Sequence, residues 1–304
     1  MKITNKLGLP ALYVRAVSFD DYDPGESDTS ATTLLKPPRA VVLSRKHSKE
    51  LTEDAADRYW AFFGKMSHLA MERADIGDPN EIIEKRFYRD IHGWRVGAQL
   101  DLYEIAEKTI TDNKFVSAYS FKAHKTGENT EWWVQTAIQT WIMRGNGYEV
   151  DRMQICANMR DWSKLQMMRD KDYPRHPVEL IGWKPPSDEE CEALVSELVL
   201  KHQKALKELP LCTDEECWKQ PDKFAVMKEG RKSALRLLNT REEADEWIVK
   251  NNHGFFDEGI GQVSLNNKIS IDHRIGDYTR CKAYCSVADF CTQHQDRLTE
   301  ENDV

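Results

Sequence analysis

Two neighbouring extended segments, Arg95 to Glu104 and Lys108 to Val116, constrain the fold of this chain more than any other feature. They read R-V-G-A-Q-L-D-L-Y-E and K-T-I-T-D-N-K-F-V, and they predict two strands joined by a short hairpin. Side chains two residues apart on a strand point to the same face, so Asp112 and Lys114 project side by side. The hairpin brings Asp101 opposite them. The sequence thus predicts that two carboxylates and one ammonium group converge on one spot.

Such a group of side chains suits a divalent cation and a phosphate. Carboxylate oxygens are the usual ligands of Mg²⁺, and a lysine beside the metal can hold or activate an attacking water. We therefore interpret the three residues as a site for metal-dependent phosphodiester cleavage. A D-x-K pattern alone is common in chains of this size, and exposed Asp and Lys are usually just solvated. The interpretation therefore depends on the order of the features around it.

The predicted elements around this hairpin follow an α/β order. A helix with an acidic first turn begins at Thr52 and continues to Ala70, and its periodic apolar positions predict one buried face. The other core elements are three strands, a helix and two more strands: Ile82–Ile91, Trp94–Tyr103, Thr109–Tyr119, Glu131–Arg144, Arg152–Asn158 and Val178–Trp183. This order predicts a central mixed β-sheet flanked by helices.

We divide the chain into three parts. Residues 1–50 are predicted to be an irregular N-terminal arm, because Asp, Ser, Thr, Gly and Pro are concentrated at 19–37. Residues 51–185 form the α/β core, and residues 186–304 form an extension that packs back on the core. The extension is predicted to hold a helix, a hairpin around Gly230, a second helix and a loop: Asp188–Lys207, Phe224–Lys228 with Ala234–Leu238, Arg241–Lys250 and Asn251–Asn267.

Five short motifs occur in the order found in the PD-(D/E)XK nuclease superfamily, which the chain resembles. They are G-K-M-S-H, G-A-Q-L-D, D-N-K, Q-T-A-I-Q and R-D-W-S, at Gly64–His68, Gly97–Asp101, Asp112–Lys114, Gln135–Gln139 and residues 160–163. The second motif has one more spacer than the family pattern, and Gln139 stands where the family often has an aromatic residue. The branch that the chain resembles is the RecB-type exonuclease group, which includes phage exonucleases and the iron–sulfur nuclease of CRISPR adaptation.

The resemblance implies a restriction-endonuclease-like core and roles for the motif residues. It implies four ligands of an Mg²⁺ or Mn²⁺ ion: His68, Asp101, Asp112 and the main-chain carbonyl of Asn113. Lys114 would position water or stabilise charge on the phosphate, and Gln135 would orient the DNA backbone or the lysine. From the residues alone, His68 also fits a satisfied core histidine. Gly64, which would allow close approach of the helix to the sheet, and the acidic hairpin downstream favour the ligand role. Gln135 also fits an ordinary helix surface.

The resemblance further implies an Mg²⁺- or Mn²⁺-dependent deoxyribonuclease. We expect an exonuclease acting on single- or double-stranded DNA ends in phage-type recombination, repair or replication, with recombination or replication proteins as partners and oligomer formation left open. The tryptophans at 132, 133 and 141 fit either base stacking or a core position. Two other interpretations stand beside this one: a nuclease-fold protein that binds DNA or an assembly partner without cutting, and a metal-stapled interaction protein in which D-N-K is accidental.

Composition sets limits on these interpretations. The net charge of −8 counts mildly against a nucleic-acid-binding protein, although a nuclease needs only a locally positive groove. Basic residues cluster at Arg39–Lys49 and at Lys223–Arg236, where an ordinary solvated face and a DNA-facing role fit equally well. No apolar run approaches the roughly 20 residues of a membrane span, and no secretory signal is recognisable. We therefore expect a cytoplasmic protein, in the host cytoplasm if it is phage-encoded.

Seven cysteines are present, an odd number that argues against a disulfide framework in a chain without a recognisable secretory signal. The last three, Cys281, Cys285 and Cys291, lie close together in C-K-A-Y-C-S-V-A-D-F-C. Three thiolates at this spacing in a reducing compartment indicate a metal. Buried structural thiols are the alternative.

A fourth ligand is needed to complete such a site. We assign Cys212, with Cys217 as the alternative, to a [4Fe–4S] cluster that is expected chiefly from the resemblance. Related iron–sulfur nucleases place one cysteine before the nuclease core, and this chain has none before Cys156, so that pattern is broken. His294 would instead complete a Cys₃His zinc site. In either case the metal is expected to staple the C-terminal segment to the core.

Overall fold

The computed structural model of the chain describes residues 1–19, 23, 25–125, 130–257, 259–266 and 268–302. It consists of two compact units, Met1–Pro210 and Leu211–Val304. None of the helices in the described ranges is both long enough and apolar enough to cross a membrane.

The first unit contains both strands and helices along its length. Its strands are β1 (Lys2–Thr4), β2 (Thr29–Ser30), β3 (Thr52–Asp54), β4 (Glu81–Ile91), β5 (Trp94–Glu104), β6 (Thr109–Val116), β7 (Arg152–Met159) and β8 (Val178–Trp183). Its helices are α1 (Ala11–Ser18), α2 (Ala31–Leu34), α3 (Pro38–Lys46), α4 (Tyr59–Glu72), α5 (Ala118–His124), α6 (Glu131–Gly145), α7 (Lys164–Arg169) and α8 (Asp188–Lys207).

Six of these strands form the central sheet. β4 and β5 are an antiparallel hairpin closed at His92–Gly93, where both residues have positive φ. The other edge of β5 pairs with β2 in parallel at one end and with β6 antiparallel at the other. β7 continues the sheet parallel to β6, reached through α5 and α6, and β8 pairs antiparallel with β7. The predicted mixed sheet flanked by helices is therefore confirmed.

Helix α6 is the centre of the hydrophobic core. Its side chains Ile138, Trp141 and Ile142 are buried in one cluster with Val96, Leu100 and Ile110 of the sheet and with Val195 and Val199 of α8. Burying each large apolar side chain stabilises the fold by about 1.5–3 kcal/mol. Trp132 is also buried, so this residue and Trp141 take the core position that the helical spacing allowed.

The N-terminal region differs from the predicted irregular arm, because α1, α2 and α3 form there. Ser30 caps α2 by accepting a hydrogen bond from the backbone N–H of Thr33, and Pro38 occupies the first turn of α3. Turn-forming residues thus begin short helices in this region. Positions 20–22 and 24 of the predicted loop lie outside the described residues.

The helix predicted from Thr52 begins only at Tyr59. Residues Thr52–Asp54 instead pair in parallel with β1, and Asp54 accepts hydrogen bonds from the hydroxyl of Thr4 and the N–H of Lys6. The expected buried face is also wrong, since none of the residues of α4 is buried. This helix covers an open cleft and not a closed core. The end of one strand also differs from the prediction. The strand predicted to continue to Tyr119 ends at Val116, because Ser117 caps α5.

The second unit is a small α/β arrangement. Its elements are β9 (Lys223–Lys228), β10 (Arg236–Leu238), α9 (Arg241–Lys250), β11 (Gly254–Asp257), β12 (Gln262–Leu265), β13 (Ile269–Arg274), a π-helical turn (Arg280–Tyr284), a 3-10 turn (Ala288–Phe290) and α10 (Thr292–Asn302). The predicted hairpin around Gly230 is present as β9 and β10, flanked by β13. The predicted loop Asn251–Asn267 is wrong, since β11 and β12 form a hairpin within it; Asn267 itself lies outside the described residues.

Candidate active site

The site lies in a fork between two strands of the central sheet. β5 and β6 pair only over Leu102–Glu104 and Thr109–Thr111, and then they separate. Asp101 and Asp112 are the first residues beyond the paired segment on the two strands. Oδ2 of Asp101 accepts a hydrogen bond of 2.6 Å from the backbone N–H of Asn113, which ties one side of the fork to the other. The structure therefore brings together the two carboxylates of the sequence motifs.

Helix α6 fixes Asp112 and Lys114 from one side of the fork. Nζ of Lys114 lies 2.7 Å from Oδ2 of Asp112 and donates a hydrogen bond of 2.9 Å to Oε1 of Gln135. Nε2 of Gln135 donates in turn to Oδ1 of Asp112 at 2.7 Å. The three residues form a closed ring in which Gln135 orients both charged groups, so it is not an ordinary helix-surface residue.

Gln139 is a fourth member of this network. Its side chain is 1% exposed, and its Nε2 donates to the same Oδ1 of Asp112 at 3.3 Å. The family resemblance identifies Gln139 only as a residue that stands where an aromatic side chain is common, and it predicts no role for it. Its spacing of one helical turn from Gln135 is the signal that places both amides on the same face of α6.

His68 reaches the fork from α4 on the other side. Its Nδ1 lies 2.9 Å from Oε1 of Glu84 and 3.6 Å from Oδ1 of Asp101. The side chain is 44% exposed, so it is not the satisfied core histidine of the alternative interpretation. Gly64 does not act as expected either, because a Cβ there would meet no atom within 4 Å. Gly97 does mark a close approach, since a Cβ there would lie 2.9 Å from Cβ of Ser27.

Glu84 is a site residue that sequence reasoning missed. It lies on β4 with a φ of 48°, and Gln99 donates a hydrogen bond of 2.7 Å to its Oε2. The signal for it is the hairpin register, because counting equally in both directions from the His92–Gly93 turn sets Glu84 opposite Asp101. Ligand atoms of His68, Glu84 and Asp101 lie within 4.8 Å of one another, an arrangement able to hold a metal ion.

The charges in the fork repel one another. Burial, followed by the negative charge of Asp112, raises the pKa of Asp101 from 3.8 to about 7. The hydrogen bond to Glu84 raises the pKa of His68, an effect that its partial burial opposes. Three carboxylates thus share the positive charge of one lysine and one histidine. A divalent cation placed among them would relieve this repulsion.

The donor groups fit a hard divalent cation. Carboxylate and amide oxygens predominate, with one imidazole, and such a set suits Mg²⁺ or Mn²⁺. Oδ2 of Asp112 and Oε1 of Gln139 are buried atoms with no hydrogen-bond partner, and the approach of Lys114 to Oδ2 is an ion-pair contact only. The main chain of Asn113 also lies at the site, and its N–H donates a hydrogen bond to Oδ2 of Asp101.

These groups open into a cleft of about 770 Å³. Helix α4 contributes Phe62, Met66 and Leu69 to its walls, and the strands contribute Arg86 and Tyr88. The cleft therefore combines apolar side chains with cationic and polar ones close to the carboxylates.

A separate group of five cysteines lies in the second unit. Burial raises the pKa of Cys212 and Cys281 to about 12, and the neighbouring thiols contribute to both shifts. Cys281 is hydrogen-bonded to Cys217, and Nη1 of Arg297 lies 3.4 Å from Sγ of Cys217 and 3.9 Å from Sγ of Cys281. Electrostatic interactions connect Cys285 with Cys217 and Cys291. Both candidates for the fourth ligand, Cys212 and Cys217, thus belong to the group that contains the C-terminal three.

Comparisons with known proteins give only distant matches. No family model matches the chain, and no curated protein matches it. Among solved structures, a protein named SSO0001 shares 15% identity over 68% of this chain and 89% of its own, with a TM-score of 0.42. A phage-related exonuclease from Haemophilus somnus 129PT shares 12% identity over 64% of this chain and 78% of its own, with a TM-score of 0.29. Similarities this weak carry no argument about function, which depends on the site.

Proposed function

We propose that this chain is a divalent-cation-dependent deoxyribonuclease with a restriction-endonuclease-like core. The observation that carries the proposal is the fork, in which Asp101 accepts a hydrogen bond from the backbone of Asn113 and the neighbouring Asp112 forms an ion pair with Lys114. The order of the sequence motifs is the reason for preferring an exonuclease in phage-type recombination, repair or replication. Single- or double-stranded DNA ends would be the substrate.

Asp101, Asp112 and His68 would hold Mg²⁺ or Mn²⁺, as the sequence motifs imply. The group of ligand atoms within 4.8 Å of one another is His68, Glu84 and Asp101 and does not include Asp112, so Glu84 would be a further ligand or the partner that orients His68. Bound there, the cation would neutralise a phosphoryl oxygen and lower the pKa of the attacking water. The two glutamines of α6 fix Oδ1 of Asp112, and its buried Oδ2 contacts Nζ of Lys114. The carboxylates are therefore oriented before substrate arrives.

Lys114 would act on the phosphate or on the water. An ammonium group has three N–H donors. One is directed to Gln135 and one faces Asp112, so a third is available for the water nucleophile or a non-bridging oxygen. The water oxygen forms the new bond to phosphorus as the bond to the leaving oxygen breaks. Lys114 offsets the negative charge that develops on the phosphate.

Digestion of end-labelled linear DNA and of circular plasmid, with Mg²⁺ or with EDTA, tests this proposal. We expect Mg²⁺-dependent loss of linear DNA, retention of closed circles, and no cleavage by Lys114→Ala or Asp112→Asn protein that still binds DNA. Cleavage of circles would change the assignment to an endonuclease. Binding without any cleavage by the wild type would instead support a catalytically silent DNA-binding protein.

We also propose that the cysteine group holds a metal cofactor, a [4Fe–4S] cluster in preference to Zn²⁺. Cys281, Cys285 and Cys291 would supply three ligands, and Cys212 or Cys217 the fourth. A single zinc ion with bonds of about 2.3 Å needs its sulfurs close together, and no three thiols among the described residues lie within 4.8 Å of one another. Absorbance near ~400 nm with bound iron would support the cluster. A colourless protein containing zinc would overturn it.

A further inference from the structure

An exposed aromatic group lies at the first turn of α4. Tyr59 and Trp60 are 43% and 53% exposed, and their ring centres are 4.7 Å apart. The ring of Phe63 lies 6.1 Å from that of Tyr59. Since no residue of α4 is buried, these rings do not serve the hydrophobic core. Large aromatic side chains kept on the surface together indicate a binding surface.

Arg160 connects this group to the catalytic strand. Its guanidinium lies 4.0 Å from the centre of the Trp60 ring, and its Nη1 donates to the main-chain carbonyl of Phe115 at 3.4 Å. The Phe115 ring in turn packs edge-on against Phe63 at 5.5 Å. We call Tyr59, Trp60, Phe63, Phe115 and Arg160 the aromatic platform. Arg160 begins the R-D-W-S motif, to which the proposed chemistry assigned no role.

The platform begins one residue from the proposed reaction centre. Phe115 directly follows Lys114 on β6, and consecutive Cα atoms are about 3.8 Å apart. Asp112 and Lys114 alternate with Phe115 along the strand, so the carboxylate and ammonium face the fork while the Phe115 ring lies on the α4 side. The platform therefore begins on the face of β6 opposite Lys114, outside the residues that line the cleft. A single strand that passes around the open end of the fork from Lys114 brings its next base to these rings.

We infer that the aromatic platform stacks an unpaired base of the DNA strand next to the phosphate that is cut. The inference rests on the proposed nuclease function and adds the substrate class: DNA with a single-stranded end. Aromatic rings accept the π face of any base, and an arginine adds a cationic contact without sequence preference. A base inside a duplex is already covered on both faces by its neighbours, so an internal base pair cannot stack there.

The test uses a thermodynamic cycle between protein and DNA in an Asp112→Asn background, which does not cut. Binding of labelled single-stranded oligonucleotides, each with one abasic position moved stepwise from the end, is measured by fluorescence anisotropy. We expect Trp60→Ala to weaken binding about 5- to 100-fold and Trp60→Phe to retain most of it. At one position the abasic site should weaken binding to the parent protein and leave binding to the Trp60→Ala variant unchanged. Phe256→Ala, which removes a similarly exposed ring in the second unit, is the matched control.

Each outcome decides a separate point. Equal affinity of Trp60→Ala and its parent for single strands, or loss of binding that no abasic position reproduces, overturns the platform. A change in self-association at unaltered DNA affinity overturns it as well and assigns the surface to a protein partner. Absence of any DNA binding by the parent removes the proposed function itself. Thermal melting of each variant shows whether a loss of DNA binding reflects unfolding. Arg160→Gln, which changes an exposed side chain of the platform, provides a second variant.

Discussion

Glu84 and Asp101 are the two residues at which the register of the antiparallel β4–β5 pair is interrupted, and Nδ1 of His68 contacts both carboxylates. This arrangement gives the proposed cation site a third acidic group. It also gives Glu84 a positive φ, an uncommon conformation for a residue other than glycine within a strand. Such a conformation at a cluster of charged groups is consistent with a functional constraint.

Glu84→Gln should weaken metal binding about 10- to 100-fold, as is typical when a ligand or its hydrogen-bond partner is removed. The concentration of Mg²⁺ or Mn²⁺ that gives half-maximal cleavage should rise accordingly, and calorimetric Mn²⁺ titration should show the same change. Glu81→Gln, on the same strand but opposite Glu104 at its far end, is the matched control and should behave as wild type. Equal metal affinity in both variants would exclude Glu84 from the cation site.

Gln139→Leu should lower activity at least tenfold with little change in stability. The substitution removes one of two hydrogen bonds to Oδ1 of Asp112, and with it a buried amide oxygen that has no partner. These effects on stability oppose one another, each on the order of 1–3 kcal/mol. Single-turnover kinetics and thermal melting measure the two quantities separately. Thr140→Val, an isosteric change at a buried neighbouring hydroxyl without a partner, should leave activity intact.

Stability without metal should fall as pH rises. The pKa of Asp101 is about 7 in the fold and 3.8 in an unconstrained chain, so its neutral form is favoured by folding. Its contribution is fully present below about pH 4 and is lost as pH rises to about 7, with a loss of roughly 2–4 kcal/mol. The pKa of His68 is also raised, so its contribution is lost in the same direction as pH rises above about 6.5.

Asp101→Asn removes the larger of these two effects. In EDTA at pH 8 the variant should melt at a higher temperature than wild type, and near pH 4 the difference should vanish. Added Mg²⁺ should stabilise wild type at pH 8 and leave the variant unchanged. A variant less stable than wild type at pH 8 in EDTA would contradict the raised pKa.

Cys217→Ser should remove the metal that we propose for the second unit. Cys217 is buried and hydrogen-bonded to Cys281, and Arg297 contacts both sulfurs. Replacing Cys217 therefore removes a thiol that contacts other members of the cysteine group. Iron and zinc content, with absorbance near ~400 nm, measure the effect. Cys156→Ser, in the first unit, should keep the full metal content. Cys212→Ser distinguishes the two candidates for the fourth ligand: retention of metal in that variant assigns Cys217.

Local patterns predicted most of the central sheet and its main helices. The strand at Val178–Trp183 and the helices at Asp188–Lys207 and Arg241–Lys250 have the predicted bounds, because capping residues and apolar periodicity are properties of adjacent residues. Asp112 and Lys114 were likewise recognisable from a spacing of two on one strand. Features that depend on residues distant in sequence, such as helix exposure and strand pairing, could not be predicted from these local patterns.

Three errors show that limit. The exposure of α4 depends on the cleft below it, and its apolar spacing is the same as that of a buried helix. β3 replaces a helical turn because β1, fifty residues earlier, supplies its partner and Asp54 accepts hydrogen bonds from that segment. Glu84 acquires its role from the register of a long hairpin, which side-chain chemistry alone does not reveal.

The abrupt end of the β5–β6 ladder also determines which changes the protein tolerates. The main-chain spacing of the two aspartates is set by pairing at residues 102–104 and 109–111, while Gln135 and Gln139 orient the Asp112 carboxylate. Substitutions in the surrounding surface can therefore accumulate without moving the carboxylates. Lengthening or shortening the connection at 105–108 by a single residue would shift one strand against the other and turn one aspartate away from the other.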